Sequence, residues 1–578
     1  MSLFKRLTII AFALLLALSA AACGPASVTP SEDGTTGADA STVPPEQTEA
    51  VESDTDDYII AENGSARCSI VTRPGAVADE KVLAVSIKTA LKTGYGVDIE
   101  VREGSGGAGE REIIIGAFFD GIDPDAYSTA RYGVWGAARR GNKLLLYALD
   151  SKSYSNAASV LPKYIGRGSD EKTVKLRSVF YSTEVVHALP VAIPAAGNAV
   201  ASYVQHTGGT DTSKKCTQVA FKSVQEDFFK SYCATLESLS YEKKFEHSIG
   251  GNSYTAYVRE GDMLSVDYFP TLRLMRVISE PAYETPVWDL ASGERTGDVK
   301  LFQIKDTTNE HASCFIVTLA DGRYLIYDTG VAATADQAHE YMLTNNRFTD
   351  GKIHIAAIVI SHPHTDHMDG LSALAKGYAG QIVCDAVMYN LVSVDMQSVL
   401  GTDSLNSRQS GFNSAAKQLG ASVYCLRGGQ KFTLSGTDFE VVFTADELGD
   451  FALTGKNSSG ETDTTYDMNN SSLILRMTEG GQTTVFTGDC RGGEAAIISE
   501  MFQKSFKGDI MTVAHHGYNV VGTLWMYQKA QPKVLFWPVT PAMSDTSRSF
   551  VKQLSSAGYV VKHFYEDEAV EITLPYVP

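Results

Sequence analysis

"SHPHTDHMDG", residues 361–370, gathers three histidines and two aspartates around one proline. The whole chain has 12 histidines, so three within six positions ask for a chemical reason. The stretch follows "HIAAIVI", residues 354–360, a nearly continuous apolar run of the kind buried on both faces of a parallel sheet. The C-terminal edge of such a strand is where α/β proteins place their sites. In His362-x-His364-x-Asp366-His367, alternate residues of an extended loop point the same way. His362 and His364 therefore face one ion, and Asp366 and His367 turn toward a second. Neutral imidazole and carboxylate oxygen suit Zn²⁺, Mn²⁺ or Fe²⁺, and no thiolate is offered.

Two later strand ends supply further ligands. "VFTGDC", residues 485–490, ends on Asp489, whose carboxylate can bridge two ions. "MTVAHHGYN", residues 511–519, carries His515 and His516. One of them completes the second ion, and alternation does not say which; the other is placed to give a proton to a leaving group. Upstream, "YLIYDTG" puts Asp328 at a strand end before a glycine-containing turn, suited to orienting the ligands.

HxHxDH, TGD and HHG, with the upstream D-T-G, resemble the metallo-β-lactamase fold over residues 298–578. The TGD and HHG forms are most similar to the branch holding the competence-type extracellular hydrolase domain and the phosphorylcholine esterases. Asn470 in "NNSSLILRM" fits that branch as well. One departure stands out: no histidine lies between His367 and His515, where many members of the fold supply another ligand. The first ion is then left with His362, His364 and Asp489, and weak or exchangeable occupancy is expected.

The resemblance implies an αββα sandwich that works as a metal-dependent hydrolase with one or two divalent ions per chain, zinc first and manganese or iron as alternatives. His362, His364, Asp366, His367, Asp489, His515 and His516 are the implied metal ligands. Asp366, His516 and Asp328 are the implied catalytic groups. A water activated on the metal would attack a phosphorus or carbonyl centre. The branch points to phosphodiesters or phosphomonoesters; β-lactam, lactone or other ester hydrolysis is the alternative within the fold. A reading of another class is a glycan- or envelope-binding lipoprotein whose metal domain is weakly active. Specificity is assigned to loops 391–410 and 452–468. His187, His206, His247, His311, His339, His354 and His563 are read as ordinary core or surface residues.

The rest of the 578 residues reads as several units, because a chain this long exceeds one hydrophobic core. Residues 1–22 have Lys5 and Arg6, an apolar run from Leu7 to Leu18, and small residues before Cys23. That is a secretory signal, and its "SAAAC" end resembles a bacterial lipobox with Cys23 lipidated. Residues 23–57 form an acidic, Ser/Thr/Pro-rich stretch too poor in apolar side chains to order itself, hence a tether. The expected location is the outer face of the bacterial cytoplasmic membrane. Formal net charge is −19, and much of it lies in the tether. Nonspecific duplex binding is disfavoured, so nucleic acid enters only as a substrate beside small-molecule or envelope substrates. No protein partner is inferred.

Residues 58–182 read as an α/β accessory domain. "REIIIGAF" and "GNKLLLYALDSKSYSNAASVLPKYI" make it similar to the non-catalytic α/β domain of β-hexosaminidase-type glycosidases. Residues 196–296 read as a small α+β domain with one amphipathic helix and a strand series. Seven cysteines beyond Cys23 contain no CxxC pair and are read as buried hydrophobes, with Cys216 and Cys233 close enough in sequence to pair.

Overall fold

Ile353–Ile360 is a strand in which seven of the eight residues are buried, and it forms the middle of an eight-stranded sheet. The computed structural model describes residues 56–104, 110–116, 132–178, 193–197, 199–210, 216–308, 310–392, 405–451, 468–518, 523–538, 544–563 and 570–577. The signal segment, Cys23 and the tether up to residue 55 lie outside them, as do 393–404 and 452–467, which make up most of the two specificity loops. The central strand pairs in parallel with Tyr324–Tyr327 on one side and with Ala386–Tyr389 and Ile382–Cys384 on the other. Parallel neighbours require covered faces, which explains why this strand reads as an apolar run rather than an alternation.

One face of this sheet meets a seven-stranded sheet. Val317, Leu325, Tyr327, Val359 and Met388 pack there against Phe439, Val441, Leu475, Phe486 and Phe536 of the second sheet. The opposite face of the first sheet is covered by helices Thr334–Thr344, Thr365–Tyr378 and Leu405–Leu419, through Ala335, Met342, Leu371, Leu374, Phe412 and Ala416. Helices Ala445–Phe451, Gly492–Phe502, Leu524–Ala530 and Ser544–Ser556 cover the outer face of the second sheet. The order helix, sheet, sheet, helix is the αββα sandwich expected for this part of the chain.

Upstream, a six-stranded antiparallel sheet runs in the order Tyr203–Thr207, Cys216–Phe221, Leu274–Pro281, Asp262–Phe269, Asn252–Arg259, Glu242–Ile249. Helix Glu226–Ser238 buries Phe229, Tyr232 and Leu236 against one face. Tyr254, Phe269 and Leu274 join the core formed by the outer helices of the second sheet. Two buried arginines tie these layers. Arg276 donates to Asp267 Oδ2 (2.7 Å) and Glu447 Oε1 (2.8 Å). Arg427 donates to Asp446 Oδ2 (3.0 Å), Glu280 Oε2 (3.0 Å) and the Gly208 carbonyl (2.7 Å).

Residues 58–178 hold a five-stranded sheet, four strands parallel and Trp135–Arg140 antiparallel at the edge, beside a four-stranded sheet. Helices Ala78–Tyr95 and Ser151–Val160 bury Leu83, Ile87, Leu91, Tyr154 and Ala157 in a core with Ile70, Ile113 and Leu144. All seven described cysteines are free, including Cys216 and Cys233. No described helix is long and apolar enough to cross a membrane.

Candidate metal centre

Four strand ends converge at one edge of the sandwich. Strand Tyr324–Tyr327 delivers Asp328, and strand Ile353–Ile360 delivers Ser361 and His362. His364 stands at the N-cap of helix Thr365–Tyr378, so Asp366 and His367 fall in its first turn. Strand Gln482–Phe486 leads to Asp489, and strand Ile510–Thr512 leads to the two adjacent histidines. The strand is shorter than "GDIMTVAHHG" implied. His515 (φ 46°) and His516 (φ 51°) both adopt left-handed backbone in the turn beyond it.

Two sets of ligand atoms converge. Asp366, His367, Asp489 and His516 form one, and His362, His364 and Asp489 form the other. Asp489 is common to both. Its Oδ1 lies 3.1 Å from His367 Nε2 and 3.5 Å from His516 Nε2, while its Oδ2 lies 3.8 Å from His362 Nε2. Asp366 Oδ2 lies 3.4 Å from His516 Nε2. His362 Nε2 and His364 Nδ1 are 2.9 Å apart.

Each ring is turned by a partner on its far side. His367 Nδ1–H donates to Asp328 Oδ2 at 2.7 Å, and His516 Nδ1–H donates to the Pro538 carbonyl at 2.7 Å. Both Nε2 atoms are buried and have no hydrogen-bond partner. An unpaired buried polar atom is costly, and two such atoms aimed at the same carboxylates fit a divalent ion. His362 Nδ1 is 3.0 Å from Ser361 Oγ, which in turn donates to Asp328 Oδ2 at 2.9 Å. The donor set of four imidazoles and two carboxylates, without thiolate, suits zinc, manganese or iron.

Glycines permit the close approach. Gly488 has φ +50°, and a Cβ there would sit 2.9 Å from Ser361 Cβ and Ser472 Oγ. Ser472 Oγ accepts from the Asp489 amide at 2.9 Å, which fixes the carboxylate-bearing residue between the sheets. A Cβ at Gly370 would sit 2.0 Å from the Thr329 carbonyl, so the helix carrying His367 can press on the Asp328 turn only at a glycine.

The charges follow the geometry. Burial pulls the His367 imidazole down, but Asp489, Asp328 and Asp366 outweigh it and hold it well above its ordinary value. His516 is likewise raised: burial opposes, and Asp489 and Asp366 prevail. Burial would raise Asp489, yet His367 and His516 pull it well down. Asp366 is lowered in the same way by His367 and His516 against burial. His362 is pushed well below its ordinary value by burial and by His367. Burial raises Asp328, with His367 opposing.

Of the residues singled out by sequence, the structure brings together His362, His364, Asp366, His367, Asp489 and His516, with Asp328 directly behind His367. His515 is the correction. Its Nε2 is 4.0 Å from Asp489 Oδ2, and it belongs to neither convergent set. Its Nδ1–H is given to the Tyr518 carbonyl, and burial lowers its pKa. A neutral ring so placed keeps Nε2 as an acceptor, suited to taking up a proton and not to supplying one. Asn470 does not reach the ligands; its Oδ1 accepts from the Glu494 amide at 3.2 Å. The neighbouring Asn469 is the one at the site, with Nδ2 3.4 Å from His515 Nε2. His311, read from sequence as an ordinary residue, has its ring centroid 6.1 Å from that of His516. It sits outside every ligand motif, so spacing gave no signal for it.

Residues 323–506 match a family model described as "Beta-lactamase superfamily domain". No curated protein matches the chain. Among solved structures, the chain is similar to CmlA, a diiron β-hydroxylase from Streptomyces venezuelae, at 12% identity and TM-score 0.28, covering 51% of this chain and 55% of that one. The chain thus spans about half the length of that relative. A putative Zn-dependent hydrolase of the metallo-β-lactamase superfamily from Thermotoga maritima matches at 12% identity and TM-score 0.20, over 44% of this chain and 85% of that one. A long form RNase Z from yeast matches at 11% identity and TM-score 0.23, over 43% and 37%. The αββα part of the chain therefore contains a stretch, residues 323–506, that is similar to the β-lactamase superfamily domain.

Proposed function

We propose that this chain is a surface-anchored, metal-dependent hydrolase of phosphate esters, diester or monoester. The observation that carries the reading is the shared Asp489: one buried carboxylate presents Oδ1 to His367 and His516 and Oδ2 to His362. That is the arrangement of a paired-ion centre for displacement at an oxygen-rich centre. The TGD and HHG forms of the motifs favour phosphate over β-lactam or lactone substrates. Divalent ions held by these residues would supply a nucleophilic water at neutral pH and stabilise the charge that develops on substrate oxygens.

The chain's own residues do the remaining work. Asp328 and the Pro538 carbonyl hold His367 and His516 with Nε2 toward Asp366 and Asp489. Buried His362 and Asp489 keep water from the rear of the centre, while Asp366, with 22% of its side chain exposed, and half-buried His364 mark the side from which a substrate enters. His515, whose acceptor Nε2 stands at the edge of the centre beside Asn469 Nδ2, accepts a proton from an approaching water. We read Cys23 as the lipid attachment that holds the enzyme at the outer face of the cytoplasmic membrane, where small-molecule or envelope esters are available. The unit at 58–182 is read as accessory.

The test is hydrolysis of bis(p-nitrophenyl) phosphate by the metal-stripped chain, then with Zn²⁺ or Mn²⁺, beside His364→Ala. Metal-restored turnover that the variant lacks is expected. Metal binding without turnover on any phosphate ester would turn the assignment to lactam, lactone or other ester substrates.

A further inference from the structure

His311 lies in the loop between strands Val299–Gln303 and Phe315–Thr318, next to the metal centre and outside both convergent ligand sets. Three observations single it out. Its ring centroid is 6.1 Å from that of His516, with the ring planes inclined by 43°. Its Nδ1 is buried without a hydrogen-bond partner. Its backbone is left-handed, with φ 65°. Left-handed backbone is unfavourable for a residue with a Cβ and persists where the surroundings enforce it. Asp328, His515 and His516 share that conformation around the same centre.

The loop is braced on both sides of His311. Buried Asp306 accepts from Thr308 N (2.8 Å) and Thr308 Oγ1 (2.6 Å) through Oδ1, and from Ala312 N (3.0 Å) through Oδ2. Thr308 Oγ1 accepts from Glu310 N at 3.2 Å. On the far side, Ser313 N donates to the Asp366 carbonyl at 2.9 Å, which locks the loop to the metal-binding turn itself. A buried aspartate thus braces the loop on either side of His311, at Thr308 and Ala312, and His311 itself makes no hydrogen bond through Nδ1.

We propose that His311 is a substrate-contacting residue, hydrogen-bonding a phosphate oxygen of the ester seated at the Asp366–His367–Asp489–His516 cluster. The assignment rests on the phosphate-ester reading above and names a specificity determinant that no ligand motif contains. An imidazole nitrogen held beside His516 adds a directional contact to a tetrahedral oxyanion, which a planar lactam or lactone carbonyl would use less fully.

The test is binding of inorganic phosphate to the full chain loaded with zinc, by calorimetric titration, with zinc content measured in parallel. His311→Ala is expected to weaken phosphate at least tenfold with zinc per chain unchanged. His311→Asn, whose amide lies near the position of Nδ1, is expected to restore binding to within about threefold of wild type. Equal phosphate affinity in wild type and His311→Ala overturns the assignment. Loss of zinc from His311→Ala also overturns it, because the residue would then serve the metal. Wild-type protein that holds zinc and ignores phosphate overturns the phosphate reading and this inference with it, a result visible before any variant is made.

Discussion

Asp328 Oδ2 lies 2.7 Å from His367 Nδ1, and both side chains are fully buried. The pair fixes which ring nitrogen carries the proton and leaves Nε2 for an ion. Removing such a partner commonly lowers metal affinity about 10–100-fold. Asp328→Ala is expected to weaken zinc binding by that factor and to lower turnover in step. Competition with a coloured chelator measures the first; unaltered zinc affinity would show that the ring is held by other means.

One candidate ligand set has four residues and the other three, with Asp489 counted in both. A three-ligand site keeps an open position and exchanges its ion more readily than a closed set. Zinc-loaded protein dialysed against metal-free buffer is expected to retain roughly one ion per chain. His364→Ala should leave that ion in place, and Asp366→Ala should release it. Elemental analysis reading two tightly held ions in the wild type would refute the asymmetry.

Proton competition sets the pH response. His367 and His516 both have pKa values raised above the ordinary histidine value in the metal-free protein. A histidine must shed its proton to bind metal, so raised values move the competition to higher pH. Zinc affinity of the four-residue cluster is expected to fall as pH drops through the neutral range, with protons released on binding. His362, lowered by burial, adds no such release. Calorimetry in buffers of differing ionisation enthalpy counts the protons; none released at pH 7 would contradict the assignment.

Arg427 is fully buried between Glu280 and Asp446. Replacing it alone strands two buried carboxylates, a change that destabilises by about 3–5 kcal/mol. Arg427→Met is expected to fall in that range by urea denaturation. A triple change that also makes Glu280 and Asp446 neutral should recover much of the loss, since matched apolar replacement of a buried network is often nearly neutral. A single variant as stable as the wild type would mean that water reaches the network.

Much of the centre was legible because its chemistry is local. His362, His364, Asp366 and His367 lie within six positions, and strand ends flanked by glycine marked Asp328 and Asp489. What alternation could not resolve was the histidine pair, since the periodicity of a strand does not apply to two successive left-handed residues. His311 was read as ordinary because its neighbour His516 is distant in sequence and its brace, Asp306, belongs to no motif. Asn470 drew notice through its motif, whereas Asn469 is the residue that faces His515. Strand Glu242–Ile249 carries little sequence signal, because most of its side chains are exposed or half-buried and its charged residues hide the pairing with Asn252–Arg259. The buried arginines were unreadable for a similar reason: Arg276 meets Glu447 across 171 positions, and Arg427 meets Glu280 across 147.

Those two arginines also bear on how the chain can be divided. A cut near residue 297, the natural place to excise a hydrolase for study, would take Glu280 from Arg427 and Arg276 from Glu447. The excised piece would expose Phe443, Leu448 and Phe502, which share a core with Tyr254 and Phe269. In modular terms the six-stranded sheet is not cargo appended to an independent enzyme. Any homologous exchange or truncation that preserves the sandwich has to carry the sheet along with it.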